Sequence, residues 1–231
     1  MSGVTYAGGM PRVTAAYRER QTDRILQAAE ECFARNGFQA TSMDEVIAAA
    51  GMSSSTVYRY FPEGKRSLIR AVLTRRMGPL VERIKRIAES EEPLDFERDF
   101  IEALTLLNYQ RHGAAAGSEA DRQDDAHEAP GDVGLSSWAP LAYHAWGELT
   151  RDPEMSVLVQ EGYRDIHGGL IRLCRNGQRM GTISCRLSPD QLASLIQSVS
   201  FGLVVEQLIT GRADVESAAA TLRQLLAPEG A

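Results

Sequence analysis

A stretch of twenty residues near the amino terminus, SMDEVIAAAGMSSSTVYRYF (residues 42–61), constrains the fold of this chain more than any other segment. Ser42 followed three positions later by Glu45 is the pattern of a capping box, which starts a helix. Four apolar residues then recur on one face of that helix, namely Met43, Val46, Ile47 and Ala50. The helix is too short to be stable alone, so its narrow apolar face must pack against a neighbouring element.

A second short helix follows the first after a tight turn. Gly51 ends the first helix, and Ser53 can cap a further helix that runs through about Tyr60. Before this pair, apolar residues at helical spacing predict a helix over about residues 16–36, and Gly37 stands where a left-handed C-terminal cap is needed. Two short helices that share a glycine turn and follow a longer helix are typical of a helix-turn-helix.

The remaining chain shows helical periodicity and no convincing strand alternation. After Pro62 a long apolar pattern begins, and Gly78 with Pro79 predicts a kink or break within it. Further helices are predicted at about residues 95–111, 138–150, 153–176, 188–210 and 214–227, with Asn176-Gly177 and Gly211 as stops. The sequence therefore predicts an all-α fold, in which a three-helix amino-terminal domain precedes a larger helical domain.

Three boundaries follow from this pattern. Residues 1–14 have glycine and proline but no period, so we expect a flexible arm, whose Arg12 is a candidate for a phosphate or minor-groove contact. Residues 15–62 hold the helix-turn-helix domain, and residues 63–231 the larger helical domain. Within the larger domain, residues 112–136 lose periodicity and are rich in Ala, Gly, Asp and Glu, which predicts a mobile loop.

Composition excludes several classes of protein. The 231 residues are 43% hydrophobic and 24% charged, which is typical of a globular protein with a sizeable core. No window approaches eighteen uninterrupted apolar residues and the first thirty lack a secretory signal pattern, so we expect a cytoplasmic protein without a membrane partner. Cys32, Cys174 and Cys185 form neither a CxxC motif nor a Cys/His cluster. No disulfide scaffold, metal site or cofactor is therefore predicted.

The charge is divided unequally along the chain. The net charge is -6, yet residues 1–76 carry eleven Lys/Arg against seven Asp/Glu, whereas residues 77–231 carry fourteen against twenty-four. A basic amino-terminal module joined to an acidic remainder fits a protein that offers only one end to a polyanion. Solvated faces often carry such imbalances, so the asymmetry supports DNA binding only together with the motif.

The segment RILQAAEECFARNGFQATSMDEVIAAAGMSSSTVYRYF, followed by a lysine at the head of a long helix, resembles the TetR family of bacterial transcriptional regulators. The resemblance covers about residues 20–73, and beyond about residue 90 it is architectural. It implies a homodimer that binds a double-stranded DNA operator, with a small-molecule effector in the larger domain. The expected effector is apolar or aromatic.

Ten residues are candidates for DNA contact. Ser54, Ser55, Thr56, Tyr58 and Tyr60 match DNA-contacting positions of the family, and Thr41 and Ser42 resemble its phosphate contact; Ser53, Arg59 and Lys65 complete the set. Lys65 lies at a helix start, where free N–H groups also attract an anion. The spacing FPEGK is one residue longer than is common in the family, so Arg66 is an alternative to Lys65. Capping and solvation are the alternative roles of the hydroxyls.

The larger domain holds the candidate effector site. Its aromatic residues lie within helical stretches, and core packing is the alternative role of each one. The resemblance implies a mostly apolar pocket, for which the candidates are Phe100, Leu104, Trp138, Tyr143, Trp146, Tyr163 and His167. The helices at residues 153–176 and 188–210 are the predicted dimer elements, pairing as a four-helix bundle.

Three hypotheses about function remain at this point. The first is a ligand-responsive regulator, a repressor that binds a palindromic operator as a dimer and is released by its effector. The second is a ligand-independent DNA-binding protein or a transcriptional activator of the same fold. The third is an enzyme that uses Glu161, Asp165, His144, His167 or Cys174, but none of the recognised catalytic motifs accompanies these residues.

Overall fold

A computed structural model describes residues 15–108 and 135–228, and within these ranges the chain is helical and has no strands. The helices are α1 (Ala15–Ala40), α2 (Met43–Ala50), α3 (Ser54–Tyr60), α4 (Lys65–Glu89), α5 (Phe96–Thr105), α6 (Trp138–Gly147), α7 (Pro153–Arg179), α8 (Pro189–Thr210) and α9 (Val215–Leu226), with a 3-10 turn at Leu106–Asn108. The all-α prediction is confirmed. The predicted arm at residues 1–14, and the predicted loop except for its last two residues, lie outside the described ranges.

Local capping signals define the amino-terminal helices. Ser42 and Glu45 form the predicted capping box of α2, with the Ser42 N–H donating to the Glu45 carboxylate at 2.6 Å. Gly51 ends α2 in the left-handed conformation at φ 60°, ψ 39°. Gly37, at φ 79°, ψ 168°, breaks the helical geometry near the end of α1. Both conformations favour glycine, so the chain can change direction at Gly37 and at Gly51 because these residues are glycines.

The sequence predicts a kink or a break at Gly78 and Pro79, and the break is wrong, because α4 runs unbroken through both residues. A proline inside a helix removes one backbone hydrogen bond and costs about 3 kcal/mol. The helix α4 packs along α7 over much of its length. We attribute the continuity of α4 to this packing, which extends over many side chains and can exceed the local cost.

Glycines in α7 permit close contact with neighbouring elements. A Cβ on Gly169 would lie 2.7 Å from Ile84 Cγ2 in α4. Similarly, a Cβ on Gly177 would lie 2.7 Å from Ile183 Cδ1. The predicted stop at Asn176-Gly177 is therefore wrong, because Gly177 makes room for Ile183 while the helix continues to Arg179.

The last two helices follow the sequence prediction closely. A capping box between Ser188 and Gln191 starts α8, and Gly211 ends it in the left-handed conformation. Asp214 caps α9, which packs on α5. Within the described ranges α8 is long and apolar enough to cross a membrane, with 33% of the qualifying segment buried. Core helices of soluble bundles meet the same criterion, so this property alone does not indicate a membrane protein.

Candidate nucleic-acid interface and effector cavity

The helix α3 is held by its apolar side. Val57 is fully buried and Phe61, which follows the helix, is 7% exposed. Ser53 caps the helix, its hydroxyl oxygen accepting from the Thr56 N–H at 3.3 Å. A helix of seven residues cannot be stable by itself, so these contacts with the surrounding core fix its position.

The opposite side of α3 faces away from the core. Ser54, Ser55, Tyr58 and Arg59 are exposed, and Thr56 is half-buried. The hydroxyls of Ser55 and Thr56 lie 3.1 Å and 2.9 Å from that of Ser53, which groups three hydroxyls at the first turn. In the described part of the chain, carboxyl-terminal helices do not cover this surface.

Three large side chains complete the outer surface of α3. The Tyr58 ring is 44% exposed and leans over the turn to α4, where a Cβ on Gly64 would lie 3.8 Å from Tyr58 Cε1. Tyr60 is half-buried against the core. The Arg59 guanidinium lies 5.6 Å from the centroid of the Tyr60 ring, a cation–π contact that leaves the cation in solvent.

Thr41 and Ser42, the predicted phosphate contacts, lie in different environments. Thr41 is fully buried, and its hydroxyl donates to the carbonyls of Gly37 at 2.7 Å and Cys32 at 3.1 Å. The structure therefore does not present the Thr41 hydroxyl to a ligand, because the break at Gly37 leaves carbonyls that this hydroxyl satisfies. Ser42 is exposed at the head of α2, and its hydroxyl lies 3.0 Å from the Glu45 carboxylate.

Lys65 and Arg66 begin α4 and point to different partners. Lys65 Nζ donates to the carbonyls of Gln39 and Thr41, both at 3.1 Å, and so ties the end of α1 to α4. An ammonium has three donors, so one remains for a phosphate. Arg66 pairs instead with Glu154 at the start of α7, with Nη1 and Oε2 2.9 Å apart.

Arg24 belongs to this surface although the sequence analysis did not single it out. Its Nη2 lies 3.4 Å from the Gly51 carbonyl, and a Cβ on Gly51 would lie 2.7 Å from the same nitrogen. The arginine of α1 therefore reaches the turn between α2 and α3. Arg24 and Gly51 are brought together only in the folded structure. The one sequence signal for Arg24 was a basic residue on the polar side of α1.

A cavity of about 740 Å³ lies among α4, α5, α6, α7 and α8, and its walls are predominantly apolar. Five predicted effector residues line it, namely Phe100, Leu104, Trp138, Trp146 and Tyr163. Phe201, which the prediction omitted, also lines it and stacks on the Tyr163 ring with centroids 5.9 Å apart. This volume is in the range of small-molecule binding sites.

Tyr143 and His167 are not among the residues that line the cavity. Tyr143 is 60% exposed on the outer side of α6, where its ring contacts His144. His167 Nδ1 lies 2.8 Å from Gln197 Oε1, and Nε2 lies 3.4 Å from Asp190. Helical spacing predicts helices at these positions, but only the packing decides which side of each helix faces the cavity.

A buried ion pair joins α1 to α4. Arg76 is 2% exposed, and its Nε lies 3.3 Å from Glu30 Oε1. Burial raises the pKa of Glu30, which the Arg76 charge partly counteracts, and burial lowers the pKa of Arg76. Arg76 Nη2 also donates to Ser137 Oγ at 2.7 Å, immediately before α6. One side chain thus connects three helices.

A second contact joins the amino-terminal domain to α6. Gln39 Nε2 donates to the carboxylate of Glu148 at 2.7 Å, and Glu148 is 5% exposed. His144 packs on the break in α1, since a Cβ on Gly37 would lie 3.0 Å from His144 Nδ1. Because Trp138 and Trp146 of the same segment line the cavity, α6 contacts both the cavity and the helix-turn-helix.

These features define a helix-turn-helix protein whose amino-terminal domain is joined through α4 to a hollow helical domain. Residues 25–72 match the profile described as "Bacterial regulatory proteins, tetR family", and residues 129–229 match "BetI-type transcriptional repressor, C-terminal". The chain belongs to the TetR family of transcriptional regulators. The family consists of regulators and not enzymes, so the enzyme hypothesis is rejected.

Individual proteins agree with this assignment. The chain is 22% identical over 186 residues to the HTH-type transcriptional regulator UidR of Escherichia coli (strain K12), and the match covers 79% of each chain. It resembles the solved structure of Salmonella enterica GusR with a TM-score of 0.67 and 22% identity, covering 92% of this chain and 95% of the other. A structure of SmeT of Stenotrophomonas maltophilia in complex with triclosan has a TM-score of 0.65 and 17% identity, with 91% and 93% covered.

Proposed function

We propose that this regulator is a dimeric, effector-responsive repressor that binds a palindromic operator. The observation that carries the proposal is the outer surface of α3, on which exposed hydroxyl, tyrosine and arginine side chains stand over a buried Val57. A short helix can present such a surface to base edges in a major groove only when a second helix supports it from behind. Here α2 contacts α3, and α1 packs on α2.

Each candidate residue receives a role from its position. Ser54, Ser55, Thr56, Tyr58 and Arg59 meet base edges or the phosphates beside them, while Ser53 shapes the first turn. Ser42, Lys65 and Arg24 flank α3 and contact phosphates. Tyr60 packs beneath Arg59. Thr41 acts indirectly, by closing the break in α1 and accepting from Lys65 through its carbonyl.

The dimer interface is proposed on α7 and α8. Four large apolar residues of α8 are exposed on one face, namely Phe201, Val205, Leu208 and Ile209, and Ile209 is 78% exposed. Gly202 lies on the same face with no atom within 4 Å of a Cβ built on it. A second copy would cover this face and place two reading helices about 34–36 Å apart, or at a simple variant of that spacing. The apolar composition of α8 then serves dimerisation in the cytoplasm.

The cavity is proposed as the effector site, with Phe100, Leu104, Trp138, Trp146 and Tyr163 in its walls. SmeT, which shares the fold, was solved with triclosan, a small aromatic compound. An effector that binds better to one dimer shape shifts the population toward that shape. Helices α4 and α6 contact both the cavity and the helix-turn-helix, so they carry the change to the two reading helices.

The repressor role rests on the similarity of the carboxyl-terminal half to repressors of the BetI type. To test it, genomic fragments bound by the purified protein are selected, and the recovered site is placed across a promoter. We expect dimeric binding with strong salt dependence, and transcription in vitro that falls when the protein is added. Increased transcription would establish an activator with the same parts, and indifference to DNA at low ionic strength would overturn the proposal.

A further inference from the structure

A buried amide lines the effector cavity. Gln197 of α8 is 3% exposed and contributes to the cavity walls, which are otherwise predominantly apolar. An amide that leaves water needs hydrogen-bond partners inside the protein, because without them its burial is unfavourable. The partners of Gln197 therefore decide what this part of the wall can offer to a ligand.

The orientation of the Gln197 amide is fixed from both ends. Its Nε2 lies 3.3 Å from the backbone carbonyl of Tyr163, and its Oε1 lies 2.8 Å from His167 Nδ1. A carbonyl oxygen can only accept, so the nitrogen and not the oxygen of the amide faces Tyr163. His167 Nδ1 then donates to Oε1, in the neutral ring as well as in the protonated ring. His167 thus positions the amide although it does not itself line the cavity.

One N–H of Gln197 remains without an acceptor among the described residues. An amide nitrogen carries two N–H donors, and the contact with the Tyr163 carbonyl uses one of them. Because the side chain is buried, the open space beside it is the cavity and not the outer surface. A ligand that places an acceptor there gains a hydrogen bond, whereas a ligand without an acceptor leaves this donor unsatisfied.

The other hydroxyl, amide and carboxylate groups of the lining are engaged or exposed. Asp99 is buried, but it is ion-paired with Arg83 and Arg98. The half-buried Ser200 donates its hydroxyl hydrogen to the Ile196 carbonyl at 2.9 Å. The remaining groups belong to exposed residues, namely Thr74, Glu82, Gln160, Glu161, Tyr163 and Asp165. Among these three kinds of group in the described lining, Gln197 alone is buried and keeps an unused donor.

The surroundings of Gln197 are aromatic and lack basic groups. Phe201 lies one turn further along α8, and its ring contacts those of Tyr163 and Trp146, with centroids 5.9 Å and 5.5 Å apart. In the described part of the chain, no lysine, arginine or histidine lines the cavity. A carboxylate on the ligand would therefore be buried without a counter-charge, which is unfavourable. The amide donor and the apolar walls together favour an uncharged acceptor.

We infer that the effector is an uncharged, mostly apolar molecule with a hydrogen-bond acceptor such as a carbonyl oxygen. Gln197 binds this acceptor, and His167 is the positioning residue of Gln197. The inference rests on the proposed function of the cavity, and it adds the chemical class of the ligand and the residue that anchors it. A hydrocarbon of the same shape fills the same space but leaves the Gln197 N–H without a partner.

Benzophenone and diphenylmethane test the inference, because they share two phenyl rings and differ in the group between them, a carbonyl in one and a methylene in the other. Benzophenone quenches tryptophan fluorescence, and both tryptophans of the chain, Trp138 and Trp146, line the cavity. Diphenylmethane is then measured by competition with benzophenone. Because diphenylmethane leaves water more readily, the quantity to compare between variants is the ratio of the two dissociation constants.

Three variants separate the anchor from the rest of the lining. Gln197→Met keeps the length of the side chain and removes its donors, so the ratio should shift about tenfold in favour of diphenylmethane. His167→Phe keeps a ring beside Tyr163 but no longer holds the amide, and the ratio should shift about threefold in the same direction. Gln160→Met is the matched control, because this exposed amide of the lining donates to Ser156 at 3.0 Å, and the ratio should persist. Circular dichroism melting curves establish that the variants are folded.

The outcomes separate this inference from the proposed function. An unchanged ratio in Gln197→Met, an equal shift in Gln160→Met, or a wild-type protein that does not bind benzophenone would overturn the inference and leave DNA binding untouched. If Gln197→Met does not fold, the ratio in His167→Phe decides in the same way. Operator binding is measured in parallel. A protein that shows the expected ratios but is indifferent to DNA would uphold the anchor and overturn the proposed function.

Discussion

The amino-terminal domain and the larger helical domain are packed in different ways. In the amino-terminal domain, Ile25, Phe33, Val46 and Val57 are fully buried around short helices. The larger domain instead surrounds about 740 Å³ of space, and three of its helices, α4, α7 and α8, have 22 or more residues. A seven-residue helix must be held by a solid core to keep its position, whereas long helices can support one another around a cavity.

The difference shows where a shape change can originate. A close-packed domain has few alternative arrangements, so it moves as a unit. A cavity can be filled, and a ligand that fills it favours whichever arrangement of the walls fits best. We therefore expect the larger domain to change shape and the amino-terminal domain to be carried by it.

The largest expected effect compares one phenylalanine from each domain. Phe33→Ala opens a hole in a close-packed core and should lower the free energy of unfolding by about 3–5 kcal/mol. Phe96→Ala enlarges an existing cavity at a half-buried residue of α5, away from the proposed dimer face, and should cost about 1 kcal/mol. Chemical denaturation of both variants measures the two values. Similar losses would show that the domains do not differ in packing as described.

The buried ion pair between the domains should have the next largest effect. Arg76→Met leaves the Glu30 carboxylate buried without its partner, which should cost about 3 kcal/mol at neutral pH. Arg76 lowers the pKa of Glu30 against the effect of burial, so its removal raises that pKa further. Stability from a raised pKa is present below the unfolded value and lost as pH rises through the folded value.

The cost of Arg76→Met should therefore shrink as pH falls into the range where Glu30 is protonated. Denaturation curves over the acidic range test this dependence. The double variant Arg76→Met/Glu30→Gln removes the buried charge and should recover most of the lost stability at neutral pH. A double variant as unstable as the single one would mean that Arg76 acts by packing and not by charge.

Tyr58 tests the exposed face of the close-packed domain. Tyr58→Ala should weaken operator binding by about 1–3 kcal/mol if the ring reaches a base or a phosphate. Because Tyr58 is 44% exposed, its removal should leave the unfolding curve nearly unchanged. Fluorescence polarisation with the selected operator measures affinity, and Tyr143→Ala, on the outer side of α6, serves as a matched control. Wild-type affinity in the Tyr58 variant would remove the residue from the interface.

The contrast between the domains also explains what the sequence could predict. The boundaries of α2, α3 and α8 follow from capping residues and left-handed glycines, which are local signals. The roles of Gly177 and Thr41 depend on Ile183 and on the break at Gly37, which is information about three-dimensional contacts. Tyr143 and Trp146 are three positions apart on α6, yet only Trp146 lines the cavity. Periodicity identifies a helix but does not decide which apolar residue faces a cavity.

Replacing Lys65 should weaken DNA binding less than replacing Tyr58, and it should do so by about the same factor for every DNA sequence. Lys65→Met should weaken binding to all DNA about threefold to tenfold and reduce the salt slope by about one. It also removes the donors to Gln39 and Thr41, at a cost of about 1 kcal/mol in stability. Arg66→Met is the control, because that guanidinium pairs with Glu154. If the salt dependence of DNA binding became weaker only in the Arg66 variant, Arg66 and not Lys65 would be the residue that contacts the phosphate.

The smallest effect is expected at the contact between Glu148 and Gln39, and it concerns the coupling between the domains. Glu148 is 5% exposed and accepts from Gln39 at 2.7 Å, so α6 holds the end of α1 directly. Glu148→Gln keeps the shape but replaces an ionic acceptor with a neutral amide, which weakens this attachment. The factor by which an effector changes operator affinity should then fall about threefold, while affinity for each ligand alone changes little. Operator titrations with and without saturating ligand measure that factor. If this factor did not change, the contact between Glu148 and Gln39 would not couple the two domains. The coupling would then run through α4 and its Arg76, the other helix that contacts both the cavity and the helix-turn-helix.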